Sequence, residues 1–240
     1  YLMPTARTGA RLGHAELIDS MVHDGLWDAY NDFHMGITAE NLAAEYSVSR
    51  QEQDRYAVRS QERYAAAKAQ GRFADEIVAV DIPQRKGTPT VFDVDEHPRQ
   101  DVSLEGLTKL RPAFDEEGTV TAGNASGLND GAAALTVLSE AESEARNIEP
   151  LARVVDAVSV GVDPRVMGIG PAPAIEGLLQ RNGLSLVDID LLEVNEAFAA
   201  QVLAVGRRLD WDAERVNVNG GAIALGHPVG ASGARIAGTL

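Results

Sequence analysis

The stretch Asn219-Gly220-Gly221-Ala222-Ile223-Ala224-Leu225-Gly226-His227-Pro228-Val229-Gly230-Ala231-Ser232-Gly233 is the most informative part of the chain. It follows the short apolar run Val216-Asn217-Val218-Asn219, read as a strand, and leads into a helix predicted from about Val229. A polar, glycine-rich loop between strand and helix is where α/β sheets place their ligand sites. Pro228 biases His227 towards an extended backbone, and the flanking glycines let the main chain pass close to a ligand or another segment. An imidazole held beside the positive end of a helix is kept from protonating, and a neutral histidine can act as a base. The competing reading is a histidine satisfied by backbone groups.

Two further segments share this texture: Asn124-Ala125-Ser126-Gly127-Leu128-Asn129-Asp130-Gly131 and Asn195-Glu196-Ala197-Phe198. Asn195 closes the predicted strand Leu191–Val194 and is suited to fix a water or a carbonyl oxygen, or else to cap a helix from Glu196 to about Leu209. Ser126 reads as a ligand contact or a turn hydroxyl. His34 and Met35 read as a pocket wall or as a buried core pair.

Working outward, the first third is helical and loop-rich. Apolar spacing predicts a helix over Ala15–Val22 ending at Gly25, and Thr38 is read as the cap of a short helix, Ala39–Tyr46. Ser49 with Glu52 forms a capping box that opens a helix of about 20 residues closing at Gly71. Ile77–Ile82 reads as a strand. The segment from Gln84 to Glu117 is irregular and carries Arg85, Lys86, Arg99, Lys109 and Arg111, a basic reversal in an acidic chain. From Gly118 onward, short strands (one within Ala152–Val162) alternate with helices (Pro173–Asn182, closed by Gly183), the pattern of an α/β sheet with crossover helices.

The 240 residues carry a formal net charge of −15 and 45% hydrophobic content, enough for a substantial core. Such an acidic chain is repelled by phosphate backbones and anionic lipid, so nucleic acid and membrane are excluded as default partners. No apolar run approaches the roughly 18 residues of a spanning helix, and the expectation is a cytoplasmic protein. The chain has no cysteine, which excludes disulfides and a cysteine nucleophile within it. It opens at Tyr1, and its last helix is followed by no further strand, so it reads as an internal piece of a longer chain. A phosphate loop and a hydrolase serine elbow are both missing. His14, His23, His34, His97 and His227 lack metal-ligand spacing, so no metal is expected. Gly226, Gly230 and Gly233 imitate a dinucleotide loop only weakly; an oxidoreductase rests on that alone.

Taken together, residues 123 to 132, 195 to 199 and 219 to 233 resemble the thiolases, in particular their acetyl-CoA C-acetyltransferases. His34-Met35-Gly36, Lys109-Leu110-Arg111-Pro112-Ala113-Phe114 and Val166-Met167-Gly168 also resemble segments of that family. The resemblance implies an incomplete α/β thiolase-like fold of layers αβαβα. Residues 1–117 would form an α-rich loop domain covering coenzyme A, 118–148 the end of the first half, and 149–240 most of the second. It implies an acyltransferase carrying out reversible Claisen condensation of two acetyl-CoA to acetoacetyl-CoA, or thiolysis of a 3-ketoacyl-CoA, with the coenzyme A thioester as substrate and no separate cofactor. His227 would activate the nucleophile and bind the thioester oxygen, and Asn195 would hold a water completing that oxyanion site. Arg99 would contact the nucleotide and Ser126 the pantetheine arm, while His34, Met35, Phe114, Met167 and Phe198 would line the acyl site. The family's two cysteines would lie outside the 240 residues, and the family assembles as a dimer or tetramer. The alternative is a non-catalytic acyl-CoA or lipid-binding thiolase-like protein that lost both cysteines.

Overall fold

Ser49 and Glu52 start the longest helix as expected: the Ser49 hydroxyl accepts from Glu52 N, and Glu52 Oε2 accepts from Ser49 N at 2.8 Å. A computed structural model describes residues 1–10 and 12–240. Its elements in chain order are the hairpin β1 (Trp27–Asp28) and β2 (Phe33–His34), α1 (Met35–Glu45), α2 (Arg50–Ala69), the hairpin β3 (Val80–Ile82) and β4 (Thr90–Phe92), α3 (Leu104–Thr108), α4 (Glu140–Ala145), α5 (Pro171–Asn182), α6 (Ala199–Leu209), α7 (Ala222–Leu225) and α8 (Ser232–Thr239). A 3-10 segment, Pro164–Ile169, precedes α5.

The core surrounds α6, where Ala199, Ala200, Val202, Ala204 and Val205 are buried against α1, α2, α5 and the 3-10 segment. Helix α2 is unusual in presenting a polar inner face: Gln53, Asp54, Ser60 and Gln61 are buried beside Tyr56, Ala57, Tyr64 and Ala67. Each of these side chains makes at least one hydrogen bond, although Gln53 Oε1 is left without a partner among the described residues. Gln53 Nε2 donates to Thr119 Oγ1 at 2.8 Å, Asp54 Oδ1 accepts from Asn124 Nδ2 at 2.9 Å, and Gln61 Nε2 donates to the Ile223 carbonyl at 3.2 Å. The helix is thus a platform to which the site loops are tied.

Several expectations are corrected. The predicted helix over Ala15–Val22 is replaced by a bridge pairing Ile18 with Leu2 and a π-helical turn, Val22–Leu26, that runs through Gly25. Helix α1 starts at Met35, not Ala39, because the His34 ring caps it, accepting from Gly36 N at 3.0 Å, while the Thr38 hydroxyl donates back to the Met35 carbonyl. Within the segment read as irregular, Thr90–Phe92 pairs with Val80–Ile82 and Leu104–Thr108 is helical. Helix α6 begins at Ala199, so Asn195 does not cap it, and the last helix begins at Ser232.

The expected parallel sheet does not form among the described residues. Leu191–Val194 and Val216–Asn219 meet in a single parallel bridge, Leu192 to Val216, and 152–160 is extended without a strand partner. A strand is completed only by a neighbour that takes its backbone N–H and C=O groups. Val137, Val154 and Val155 are each about three-quarters exposed, the state of apolar strand faces that nothing covers.

Candidate functional site

The three glycine-punctuated segments converge on Ser126 and Gly127. Ala199 N donates to Asn124 O at 2.9 Å and Ser126 N to Ala197 O at 3.0 Å, and His227 N donates to Gly127 O at 3.0 Å. These bonds bridge Ala125 to Phe198 and Leu128 to His227. Beside them, residues 129–133 and 228–231 wall an open cleft of about 350 Å³.

His227 is held at both ring nitrogens. Nδ1 lies 2.6 Å from Ser232 Oγ, whose own proton is directed at the Pro228 carbonyl 3.1 Å away. That network puts the imidazole proton on Nδ1 and leaves the Nε2 lone pair towards Asn195 Nδ2, 3.3 Å away. Burial lowers the His227 pKa below the ordinary histidine value, and the Arg235 guanidinium adds to the effect. The neutral imidazole inferred from sequence is favoured by burial first and by Arg235 second. The start of α8 contributes Ser232. Asn195 Oδ1 is buried without a hydrogen-bond partner among the described residues.

An aromatic cluster surrounds Phe198, which bridges to Ala125. His34 stacks on Phe114 with centroids 4.7 Å apart, and Phe114 meets Phe198 edge-on at 5.9 Å. Met35 packs on the same core. Burial lowers the His34 pKa, and because Nδ1 accepts from Gly36 N, Nε2 carries the proton. Met167 stands apart: it is 44% exposed on the 3-10 segment and is not among the residues packed on the cluster. Ser126 Oγ donates to the Ala197 carbonyl at 3.1 Å, so the hydroxyl ties two loops together. The Arg99 side chain is exposed, while its backbone N–H is anchored on Gln61 Oε1 at 3.0 Å.

Sequence reasoning missed four groups. Ser232 orients the histidine. His97 lies against Gly127. Glu193, its side chain buried, and the partly exposed Arg235 form a loose pair, 3.6 Å apart, linking the segment before Asn195 to α8. Only Ser232, inside the quoted loop, carried a local signal. No group of His, Cys, Asp or Glu that could hold a metal occurs among the described residues.

Glu193 makes stability depend on pH. Burial pushes its carboxyl up to about 7; Arg235 opposes this, and Glu196 and Glu76 reinforce it. The folded state then holds the proton more tightly than the unfolded chain, so the stabilisation is complete below about pH 4.5 and lost as pH rises through about 7. Between pH 5 and pH 8 the full-length protein should lose about 2 kcal/mol that a Glu193→Gln variant keeps. Urea unfolding of both proteins at the two pH values measures this; equal losses would refute it.

Comparison with known proteins adds the following. The family description "Thiolase, N-terminal domain" matches residues 1–141, and "Thiolase, C-terminal domain" matches residues 148–240. The chain is 60% identical over 240 residues to the acetyl-CoA acetyltransferase of Pseudomonas aeruginosa, covering 100% of this chain and 61% of that relative. It superposes on the crystal structure of the Bacillus anthracis acetyl-CoA acetyltransferase with a TM-score of 0.96 at 50% identity, covering 100% of this chain and 60% of that one. For human mitochondrial 3-ketoacyl-CoA thiolase in complex with CoA the TM-score is 0.91 at 47% identity, covering 100% and 59%. The chain spans about 60% of the length of the relatives it matches.

Proposed function

The chain belongs to the thiolase family, and from that premise we propose that the whole protein transfers acyl groups through coenzyme A thioesters, condensing two acetyl-CoA to acetoacetyl-CoA and running the reverse thiolysis. The observation that carries this reading is the His227 ring, with Nδ1 on Ser232 and Nε2 beside Asn195. The 240 residues contain no cysteine. In this reading the nucleophile and the group that moves the α-proton are cysteines in the part of the protein these residues do not include, and what they do contain is the base and the oxyanion side of the site.

The neutral Nε2 can take the proton of a thiol nucleophile, the sulfur then bonds to the thioester carbonyl carbon, and the leaving coenzyme A thiolate departs with that proton. While protonated, Nε2–H is a donor to the oxygen on which negative charge develops. The unpartnered Asn195 Oδ1 can accept from a water that donates to the same oxygen. Phe114, Phe198, Met35 and His34 offer an apolar wall for a short acyl group, and we retain Met167 only as an outlying member of it. Arg99, in the basic run of an otherwise acidic chain, and Ser126 are the proposed contacts of the nucleotide and pantetheine parts, with 1–117 as the covering loop domain. We keep a dimer or tetramer as the assembly and the cytoplasm as its place; no helix among the described residues is long and apolar enough to cross a membrane.

The test is thiolysis of acetoacetyl-CoA with free coenzyme A by the full-length protein. Turnover is expected, and Arg99→Gln should raise KM for coenzyme A about tenfold, equivalent to one lost charge-assisted contact, with kcat unchanged. Acyl-CoA binding without turnover would favour the non-catalytic alternative, for which none of the relatives' names speaks.

A further inference from the structure

The chemistry above leaves the carboxylate of Glu196 without a task, although it is only 1% exposed and has no ion-pair partner among the described residues. It accepts four hydrogen bonds. Tyr56 OH (2.8 Å) and Ser60 Oγ (2.7 Å) donate from α2, Asn217 Nδ2 donates at 3.0 Å, and Ile223 N donates from α7 at 3.1 Å. Every partner is a donor, an environment built for an acceptor-only group. Burial and the charge of Glu196 push the Tyr56 phenol well above its ordinary pKa, so it stays a donor.

The neighbouring bonds give this cluster direction. Asn217 clamps Val194 at both backbone groups, accepting from its N–H at 2.8 Å and donating to its carbonyl at 2.8 Å. Asn195 thus sits between a clamped Val194 and a clamped Glu196, while its own side chain reaches only His227 Nε2. On the other side, Ile223 fixes the start of the short helix that ends at Gly226, immediately before His227. The loop is closed down onto the carboxylate: a Cβ on Gly221 would lie 2.3 Å from Glu196 Cδ. A buried carboxylate without a cation is a poor stabiliser compared with an apolar side chain of the same volume, which argues that its value is geometric.

We propose that Glu196 is a positioning residue that sets the Asn195–His227 contact, holding the Asn195 side through its own backbone and the His227 side through Ile223. The inference rests on the acyl-transfer reading of that pair. In Glu196→Gln one acceptor oxygen becomes a donor facing donors, so the clamp is lost with little change of volume.

The test is a double-mutant cycle on the full-length protein with thiolysis as readout, since coupled residues depart from additivity and distant ones do not. Glu196→Gln should lower kcat about 100-fold with KM for coenzyme A within threefold, and Tyr56→Phe, which removes one donor, about fivefold. In an Asn195→Ala background the same two changes should each lower kcat by less than threefold, because the Asn195–His227 contact that Glu196 sets is gone. If Glu196→Gln does not fold, Tyr56→Phe alone must show the same loss of effect. Undiminished effects in the Asn195→Ala background, or full kcat in Glu196→Gln, overturn the positioning role while leaving the function intact. No turnover by the wild type, or full kcat in Asn195→Ala, overturns the reading of the site, and this inference with it.

Discussion

Replacing His227 with alanine in the full-length protein is expected to lower kcat for thiolysis by about 10³-fold or more, leaving KM for coenzyme A and the melting temperature nearly unchanged. Removing a general base typically loses 10²–10⁴-fold, and removing an oxyanion donor about 10²–10³-fold. Because one ring serves both purposes the losses do not multiply. The ring is half-buried and its side-chain partners are Asn195 and Ser232, so the rest of the loop, fixed by Ile223 N on Glu196 and His227 N on Gly127 O, stays in place. The wild-type pH profile follows the same logic. Burial and Arg235 disfavour the imidazolium, so the active neutral form persists below the ordinary histidine pKa of about 6.5, and the acid limb of kcat/KM falls at lower pH than that. A His227→Ala protein retaining a tenth of wild-type kcat would remove the histidine from the reaction.

Gly220→Ala is expected to have the largest effect on stability. Gly220 has φ of +80°, where an L side chain is strained by about 1–2 kcal/mol. A Cβ there would also stand 2.6 Å from Ser60 O and 2.8 Å from Tyr64 N, which are backbone atoms in the middle of α2 and cannot turn aside. Overpacking of this kind typically costs about 1–3 kcal/mol, for a total of about 2–5 kcal/mol. The loop would have to lift off the platform helix, breaking Gly221 N to Ser60 Oγ (3.1 Å) and loosening Ile223 on Glu196. Denaturant unfolding and thiolysis should fall together in this variant, in contrast to His227→Ala. A stability loss under 1 kcal/mol would mean that the loop does not pack on α2 as described.

These two residues also mark what the sequence makes legible. Helix boundaries signalled locally come out correctly: Ser49 with Glu52 opens α2, and Gly183, with φ of +65°, closes α5. His227 stands out because it lies in a glycine-rich loop before Pro228, and Asn195 because it closes the predicted strand Leu191–Val194. The strand read within 152–162 finds no partner and those at 191–194 and 216–219 meet in a single parallel bridge, because a strand is a relation between segments and local apolar pattern does not say how much of a partner lies alongside. His34 displaces Thr38 as the cap of α1 because either side chain can accept a backbone N–H, and the stacking of His34 on Phe114 selects between them. The polar face of α2 reads as solvated until Thr119, Asn124, Glu196 and Ile223 are seen to meet it. The donors around Glu196 come from α2, Asn217 and α7, so its burial carries no local signal in the sequence.

The central claim is that these residues supply the base and the oxyanion side of a thiolase site and not its nucleophile. Incubating the full-length protein with acetyl-CoA, then locating the bound acetyl group by mass spectrometry of proteolytic peptides, tests it most directly. One acetyl group on a cysteine outside the 240 residues, formed far more slowly in His227→Ala, is the predicted result. Acetylation of a side chain within these residues that is discharged by free coenzyme A, or no acetyl-enzyme at all, would contradict it.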